Sequence, residues 1–262
     1  MFAEDRNFGE GQEIYYRALL ASCQLAEELG PHQAFAETRA ARGELQFDLW
    51  NVKPERPARW EALRERIKTS GLRNSLMIAI APTATIASIC GCYESIEPQV
   101  SNLFKRETLS GDFLQINRYL VADLKRLGLW TEEIRGKIKL AEGSIQSLEE
   151  LPAELRALYR TAWELPMKSL IDQAAARGAF VDQSQSLNLF MESSTIGKLS
   201  SMYMYAWKQG LKTTYYLRSR PATGIAKTTV TTNSGSAAGP SPRYNETAAC
   251  SLENPESCES CQ

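Results

Sequence analysis

The chain has 262 residues, enough for one or two domains that bury a core without disulfides or metals. It is 43% hydrophobic and 23% charged, and its 30 basic and 31 acidic side chains give a net charge of -1. This balance provides no electrostatic basis for non-specific binding of nucleic acid. His32 is the single histidine, which excludes His-rich metal sites and argues against a His-based catalytic triad.

Neither a secretory signal nor a membrane span is visible in the sequence. The first residues, MFAEDRNFGEGQE, are acidic and polar, whereas a signal peptide has a basic region followed by an apolar run. The longest strongly apolar stretch, Leu76–Ala81, is far shorter than the roughly 20 residues that cross a bilayer. We therefore expect a cytoplasmic protein, in which clustered cysteines indicate metal binding or redox chemistry rather than structural disulfides.

Apolar residues at helical spacing predict most of the secondary structure. In the first such segment Ile14, Ala18 and Cys23 recur on one face, and Gly30-Pro31 marks its end. In the helix predicted at 151–176, Pro166 is expected to introduce a kink. The predicted helices cover residues 9–29, 58–69, 113–128, 151–176 and 197–209.

Three shorter segments predict strands. Leu76–Ala81 is typical of a buried strand, Ala179–Val181 gives a strand signal, and Thr213–Arg218 is rich in β-formers. After the first of these, Pro82–Ser88 carries small residues and hydroxyls, which predicts a turn into a helix. The N-terminus of a helix presents free N–H groups that suit phosphate, and an ordinary capped helix is the alternative.

The composition changes after residue 220. Residues 221–262 are rich in Thr, Ser, Ala, Gly and Pro, and they contain one aromatic residue, Tyr244. Such a segment buries too little surface to offset its ordering entropy, which predicts a flexible tail. The expected organisation is a helix-rich α/β body over 1–220, a flexible linker over 221–249 and a redox-active cysteine tail over 250–262.

The end of the chain carries a C-x-x-C pair, Cys258 and Cys261, with Cys250 upstream. Two thiols at this spacing can close a disulfide and reopen it by exchange, so one interpretation is a tethered redox pair. A zinc half-site and an accidental pair are the alternatives, and zinc is disfavoured because it needs four ligands. The chain of about 37 residues between residue 220 and Cys258 spans roughly 35 Å, enough to move the pair between a buried site and the surface.

The other cysteines and one tyrosine pair carry weaker signals. Cys23 lies on the apolar face of the first helix, and Cys90 and Cys92 are too close for a simple disulfide, so all three are interpreted as buried small residues. Tyr215 and Tyr216 are adjacent on a predicted strand, where neighbouring side chains point to opposite faces. At least one of the two rings is therefore expected inside the protein.

Several longer stretches together resemble one family. They are GLRNSLMIAIAPTATIASICG, YESIEPQVSN, LSGDF, GSIQSLEELP, RGAFVDQSQSLNLF, YAWKQGLKTTYYLRSRPA and CSLENPESCESCQ, with EIYYRALLASCQLAEELGP and GELQFDLWNV ahead of them. They resemble the C-terminal portion of the large (alpha) subunit of class I ribonucleotide reductase, of the eukaryotic-like type. The resemblance implies an α/β fold, namely the helix-rich C-terminal part of the family's ten-stranded α/β barrel, followed by a flexible tail. Leu76–Ala81 and Thr213–Arg218 would be barrel strands.

The resemblance also implies an activity: a radical mechanism that reduces ribonucleoside diphosphates to deoxyribonucleotides for DNA synthesis. The turn formed by Thr83, Ala84, Thr85 and Ile86 resembles the one that binds the diphosphate of the substrate through backbone amides and hydroxyls. This agrees with the chemistry of a helix N-terminus.

Two residue pairs inherit redox roles from the resemblance. Tyr215 and Tyr216 match a stacked pair that relays an oxidising equivalent from a metal-containing small (beta) subunit to a cysteine of the active site. Cys258 and Cys261 resemble the shuttle that reduces the active-site disulfide and is recharged by thioredoxin or glutaredoxin. The metal cofactor belongs to the small subunit, and this chain is expected to bind none.

The chain departs from the family pattern at the reacting atoms. The family's radical cysteine lies in an Asn-x-Cys-x-Glu segment, and this chain has no such segment. Cys92-Tyr93-Glu94 resembles its second half, but Cys90 occupies the position of the asparagine. The cysteine pair that reduces the ribose and the nucleotide-effector sites are missing too. We therefore expect activity only with an N-terminal piece of the large subunit. Met1, just ahead of the first family-like helix, favours a separately translated chain.

Part of a barrel leaves strand edges and apolar faces open, which predicts poor solubility or self-association when the partner is missing. The alternative functions are a non-catalytic thiol–disulfide carrier or binding fragment, and an inactive remnant. Neither nucleic acid nor a membrane is an expected partner.

Overall fold

The computed structural model describes residues 2–108 and 111–220, with side chains from residue 8 onward apart from those of residues 105–114. The predicted linker and tail, 221–249 and 250–262, lie outside the described residues, as do Cys258 and Cys261. The helices are α1 Phe2–Leu29, α2 Gln46–Leu49, α3 Pro57–Ser70, α4 Ala84–Cys90, α5 Arg118–Arg126, α6 Glu132–Leu140, α7 Ala153–Leu158, α8 Met167–Gly178 and α9 Ile196–Lys208. The strands are β1 Leu103–Thr108, β2 Gly111–Ile116, β3 Leu189–Met191 and β4 Leu217–Ser219.

The main core forms where α1 packs against α3 and the end of α8. Cys23 is buried on the apolar face of α1, as predicted. Trp60 of α3 and Phe180 belong to the same cluster, and their stacked rings lie 6.4 Å apart. The helix predicted at 9–29 is confirmed and begins earlier. It ends as predicted at Gly30, whose φ of 78° is readily adopted only by glycine.

Two further predicted helices are confirmed by α3 and α9. Pro57 occupies the first position of α3, where its missing N–H costs no hydrogen bond. Thr195 caps α9, because its hydroxyl oxygen accepts the N–H of Lys198 at 3.3 Å. Local signals of this kind fix both boundaries to within a residue or two.

Two predicted helices are wrong in extent. Over 113–128, the residues up to Ile116 form β2, and α5 begins only after Asn117, whose side-chain oxygen accepts backbone N–H groups of the first turn. Over 151–176 the chain forms α7, a short 3-10 helix and α8 instead of one helix. Pro166 precedes α8 and disfavours helical geometry at the residue before it, so it separates two helices rather than kinking one.

Parallel pairing joins three distant segments. β3 pairs with β4 in register Leu189 to Leu217, and Ile80 forms a parallel bridge with Gln185. The strand predicted at Thr213–Arg218 is therefore correct in type, although regular pairing geometry starts only at Leu217. The N–H of Tyr215 nevertheless donates to the carbonyl of Leu187 at 2.7 Å, so the pairing extends upstream.

The other two strand predictions are wrong. Residues 76–81 are extended but not a buried strand: Leu76 is 52% exposed, and Met77 and Ile78 donate their N–H groups to the carboxylate of Asp182 at 2.7 and 2.8 Å. Ala179–Val181 is buried but forms the turn after α8. An apolar run therefore fixes neither the backbone conformation of a segment, as at 179–181, nor its burial, as at 76–81.

A second core lies behind the β1–β2 hairpin. The hairpin is antiparallel, with Leu103 opposite Ile116. Asn102, 2% exposed, donates to the carbonyls of Gly143 and Tyr159 at 3.0 and 2.9 Å. The buried apolar residues of this core come from α5, α6 and the segment through α7. None of the helices in the part of the chain that the structure describes has the length and apolar character needed to cross a membrane.

Candidate functional site

The turn before α4 is exposed and strained. Thr83 has a φ of 53°, an unfavourable value for a β-branched residue. Ala84, Thr85 and Ile86 follow it as the first turn of α4, and all three are exposed. The N–H groups of a first helical turn have no acceptor within the helix. The predicted turn into a helix is confirmed, and it presents backbone donors to the outside.

A neighbouring loop holds this turn in place. Ser95 donates its N–H to the hydroxyl oxygen of Thr83 and its hydroxyl to the carbonyl of Pro82, both at 3.2 Å. The N–H of Ala87 donates to the Thr83 carbonyl at 2.7 Å and closes the first turn of the helix. The strained residue is thus held from both sides by hydrogen bonds within the chain.

Tyr215 and Tyr216 are in mutual contact just before β4. Their ring centroids lie 4.0 Å apart with an angle of 53° between the ring planes. The prediction that at least one ring lies inside is wrong for this chain, because the two residues are 49% and 55% exposed. Opposite-face geometry applies to a regular strand, and residues 215–216 precede it. The neighbouring Tyr216 phenol raises the pKa of the Tyr215 phenol.

An open cavity of about 460 Å³ connects the turn and the tyrosine pair. It lies between the loop after α4, the start of the β1 strand and the ends of the parallel segments. Its lining residues are Pro82, Ala84, Glu94, Ser95, Glu97, Pro98, Gln99, Val100, Ser101, Phe104, Asn188, Phe190, Tyr215, Tyr216 and Arg218. Two predicted site segments more than 120 residues apart therefore meet at one surface.

Glu97 and Asn188 provide an ordered polar pair in this cavity. The carboxylate of Glu97 accepts the backbone N–H of Asn188 at 2.7 Å and its side-chain amide at 2.9 Å. Burial raises the pKa of the Glu97 carboxyl, while the hydrogen bonds from Asn188 and the positive charges of Arg218 and Arg177 oppose that rise. Both residues lie in stretches that carry the family resemblance, and the sequence predicted no role for them. The available sequence signal for Glu97 was its position as a charged residue between the apolar residues Ile96 and Pro98.

The two cysteines at the end of α4 are not in the core. Cys90 and Cys92 are exposed, so their interpretation as buried small residues is wrong. Ala87 is the one buried residue within α4, and the rest of this short helix lies at the surface. Among the described side chains, no three His, Cys, Asp or Glu residues cluster as a metal site.

Comparison with known proteins gives the same assignment as the quoted motifs. Residues 5–217 match the family described as "Ribonucleotide reductase, barrel domain", which is most of the chain. The chain belongs to this family. Within the ribonucleotide reductase family, the ribonucleoside-diphosphate reductase large subunit of Caenorhabditis elegans is 45% identical over 232 residues, covering 88% of this chain and 29% of that protein. The large subunit of Danio rerio is 44% identical over 260 residues, covering 95% and 33%.

A solved ribonucleotide reductase structure has the same fold. The class Id alpha subunit from Actinobacillus ureae matches with a TM-score of 0.62 and 29% identity over 84% of this chain and 34% of that chain. The predicted fold class, a helix-rich part of the reductase barrel, is therefore confirmed. The chain spans about a third of the length of these relatives and corresponds to a C-terminal portion of such subunits.

Proposed function

We propose that this chain acts as part of a ribonucleoside-diphosphate reductase and supplies three elements of its active site. These elements are a cradle for the substrate's diphosphate, a tyrosine relay and a pair of exchanging thiols. The observation that carries the proposal is the shared cavity, in which the turn at Ala84 and the pair Tyr215–Tyr216 line the same space. Membership of the reductase family supports this combination.

The cradle consists of Thr83, Ala84, Thr85 and Ile86. Outward-facing N–H groups of the first helical turn and the hydroxyls of the threonines would donate to phosphate oxygens. Because Thr83 is already held in its strained conformation by Ser95, the donors are positioned before the substrate arrives. The diphosphate would then place the ribose towards the interior of the cavity.

The relay uses the contact between the two phenols. In each step a tyrosine gives up one electron and one proton, and the neighbouring tyrosyl radical takes up both and becomes a phenol again. Rings whose centroids lie 4.0 Å apart suit such a coupled transfer, because proton and electron travel between the same two residues. The oxidising equivalent would come from a small subunit carrying the metal cofactor, and its acceptor is a cysteine of the N-terminal portion of the large subunit.

The thiols are Cys258 and Cys261, which lie outside the described residues. Their chemistry is thiol–disulfide exchange: the dithiol reduces the active-site disulfide, becomes a disulfide itself and is then reduced by thioredoxin or glutaredoxin. Two electrons pass at each exchange, which matches the two electrons that one ribose reduction consumes.

A complementation assay tests the proposed function. The chain is mixed with the N-terminal portion of a reductase large subunit, a small subunit and thioredoxin with its reductase, and deoxyribonucleoside diphosphate is measured. We expect multiple turnovers from the full mixture, and at most one turnover with Cys258→Ser, because the single remaining thiol can form only a mixed disulfide and cannot complete the reduction of the active-site disulfide. If the portions bind one another and the full mixture still forms no product, the proposal is wrong.

A further inference from the structure

The loop after α4 reaches both ends of the candidate site. At one position Ser95 binds the turn, through Thr83 and Pro82. Two residues later Glu97 binds Asn188, which lies 91 positions further along the chain at the start of β3. This short loop therefore connects the turn at Thr83, which is the proposed phosphate turn, directly to the parallel strands.

Asn188 passes the connection on to the tyrosine pair. Its side-chain oxygen accepts the N–H of Tyr216 at 3.3 Å, while its side-chain nitrogen donates to Glu97 at 2.9 Å. Asn188 is 5% exposed, so water has little access to these bonds. The flanking strand pairing continues through Leu189, whose N–H donates to the Tyr216 carbonyl at 2.9 Å.

The chemistry of the donors and acceptors fixes the orientation of the Asn188 amide. Both carboxylate oxygens of Glu97 receive hydrogen bonds, so they can only accept in this arrangement. The Asn188 nitrogen must then face Glu97, and its oxygen must face Tyr216. Glu97 thereby determines which atom meets the backbone of the tyrosine pair, although it is not bonded to that backbone itself.

We propose that Glu97 is a positioning residue for the tyrosine relay, acting through the amide of Asn188 on the backbone of Tyr216. Together with Ser95 it holds the tyrosine pair and the phosphate turn at a fixed separation across the cavity. Its importance for catalysis rests on the proposed function, whereas the hydrogen-bond chain itself does not.

Exchanging the two side chains' donors and acceptors gives a matched set of variants. In Glu97→Gln the new amide meets the Asn188 amide, and if Asn188 turns over to satisfy it, the N–H of Tyr216 loses its acceptor. In Asn188→Asp two carboxylates face each other. The double variant E97Q/N188D restores every bond, because the introduced amide donates to the introduced carboxylate, whose other oxygen accepts from Tyr216.

The first measurement is hydrogen exchange of the Tyr216 amide in the full chain labelled with 15N-tyrosine, assigned by Tyr216→Phe. We expect this amide to exchange about tenfold faster in each single variant and at close to the original rate in E97Q/N188D. Glu154→Gln, at an exposed position of α7, serves as the control and should leave the rate unchanged. An unchanged rate in both single variants, or no recovery in the double variant, overturns the inference.

The second measurement is turnover in the complementation mixture. For both single variants kcat should fall by roughly tenfold or more while KM for the diphosphate stays within about twofold, and E97Q/N188D should regain most of kcat. Equal losses in single and double variants would contradict a positioning role. If the amide pattern follows the prediction but the original chain gives no product, the contact is supported and the proposed function fails.

Discussion

At the scale of single residues, Glu13 illustrates how two helices of the main core are joined at the surface. Its carboxylate accepts hydrogen bonds from both terminal nitrogens of Arg59 on α3, at 2.6 and 3.0 Å, and from the Nε of Arg17 at 2.7 Å. The Arg59 guanidinium also lies 3.4 Å from the centroid of the Tyr16 ring. Two-pronged pairing of this kind is stronger than a single surface ion pair and fixes the crossing of α1 and α3.

The Glu13 pair predicts a specific acid sensitivity. Hydrogen bonds from Arg59 and then Arg17 lower the pKa of Glu13 from 4.5 to about 2. The unfolded chain therefore takes up this proton first, so the stabilisation is complete above about pH 4.5 and is lost as the pH falls towards 2. Glu13→Gln should make the melting temperature fall less steeply over this range.

The control for this prediction is Glu28→Gln on the same helix, an exposed carboxyl for which the described residues provide no ion pair. It should retain the original pH dependence of the melting temperature. Identical slopes for the original chain and Glu13→Gln would show that the pair does not contribute to acid stability.

At the scale of elements, one turn connects three extended segments. Lys212, at the entry to the tyrosine segment, donates its ammonium hydrogens to the carbonyls of Val181, Asp182 and Gln183, at distances of 2.8 to 3.0 Å. The Asp182 carboxylate in turn holds the N–H groups of Met77 and Ile78. The turn after α8 thus organises the segments on both sides of it.

Lys212→Met should destabilise the chain, because it leaves these carbonyls without their donor. Because Lys212 is exposed, solvent screens these charge-assisted hydrogen bonds, so their loss costs about 1 kcal/mol and the expected drop in melting temperature is roughly 2–4 °C. Lys208→Met, at the exposed end of α9, removes the same charge and should have little effect. Equal destabilisation by both substitutions would exclude a specific role for the Lys212 contacts.

The elements differ in how far the sequence predicts them. The helices α1, α3 and α9 carry their own apolar periodicity and caps, so local information is sufficient. The parallel pairs join positions that are distant in the sequence, 28 apart for Leu189 and Leu217 and 105 apart for Ile80 and Gln185, and a local pattern does not contain that pairing. The prediction for residues 76–81 is wrong for this reason, because burial in a strand needs neighbours on both sides.

The candidate site also divides into residues that the sequence predicts and residues that only the structure reveals. The turn at Thr83 and the pair Tyr215–Tyr216 were predicted as site segments from the family resemblance, and the structure places both segments around one cavity. No site role was predicted for Glu97 and Asn188, because their contact joins positions that are distant in the sequence. The exposure of both tyrosine rings was missed because it depends on where the strand begins.

At the scale of the whole molecule, large apolar residues remain exposed around the candidate site. Ile86 is 63% exposed, Ile89 80% and Ile96 55%. Large apolar side chains with this degree of exposure are more common at interfaces than elsewhere on a surface. The expectation that the chain self-associates when alone stays a prediction. The chain spans about a third of its relatives' length, so the remainder of a large subunit is the partner we propose for this surface.

In the proposed function, this chain carries oxidising equivalents through its phenols during ribonucleotide reduction. The most direct measurement is turnover of the complementation mixture with Tyr216→Phe, which keeps the ring but removes the transferable phenol hydrogen. We expect product formation to fall on the order of 100-fold or more with diphosphate binding unchanged, whereas Tyr203→Phe, a partly exposed tyrosine of α9, should keep normal turnover. Turnover by Tyr216→Phe at the rate of the unsubstituted chain would contradict the relay.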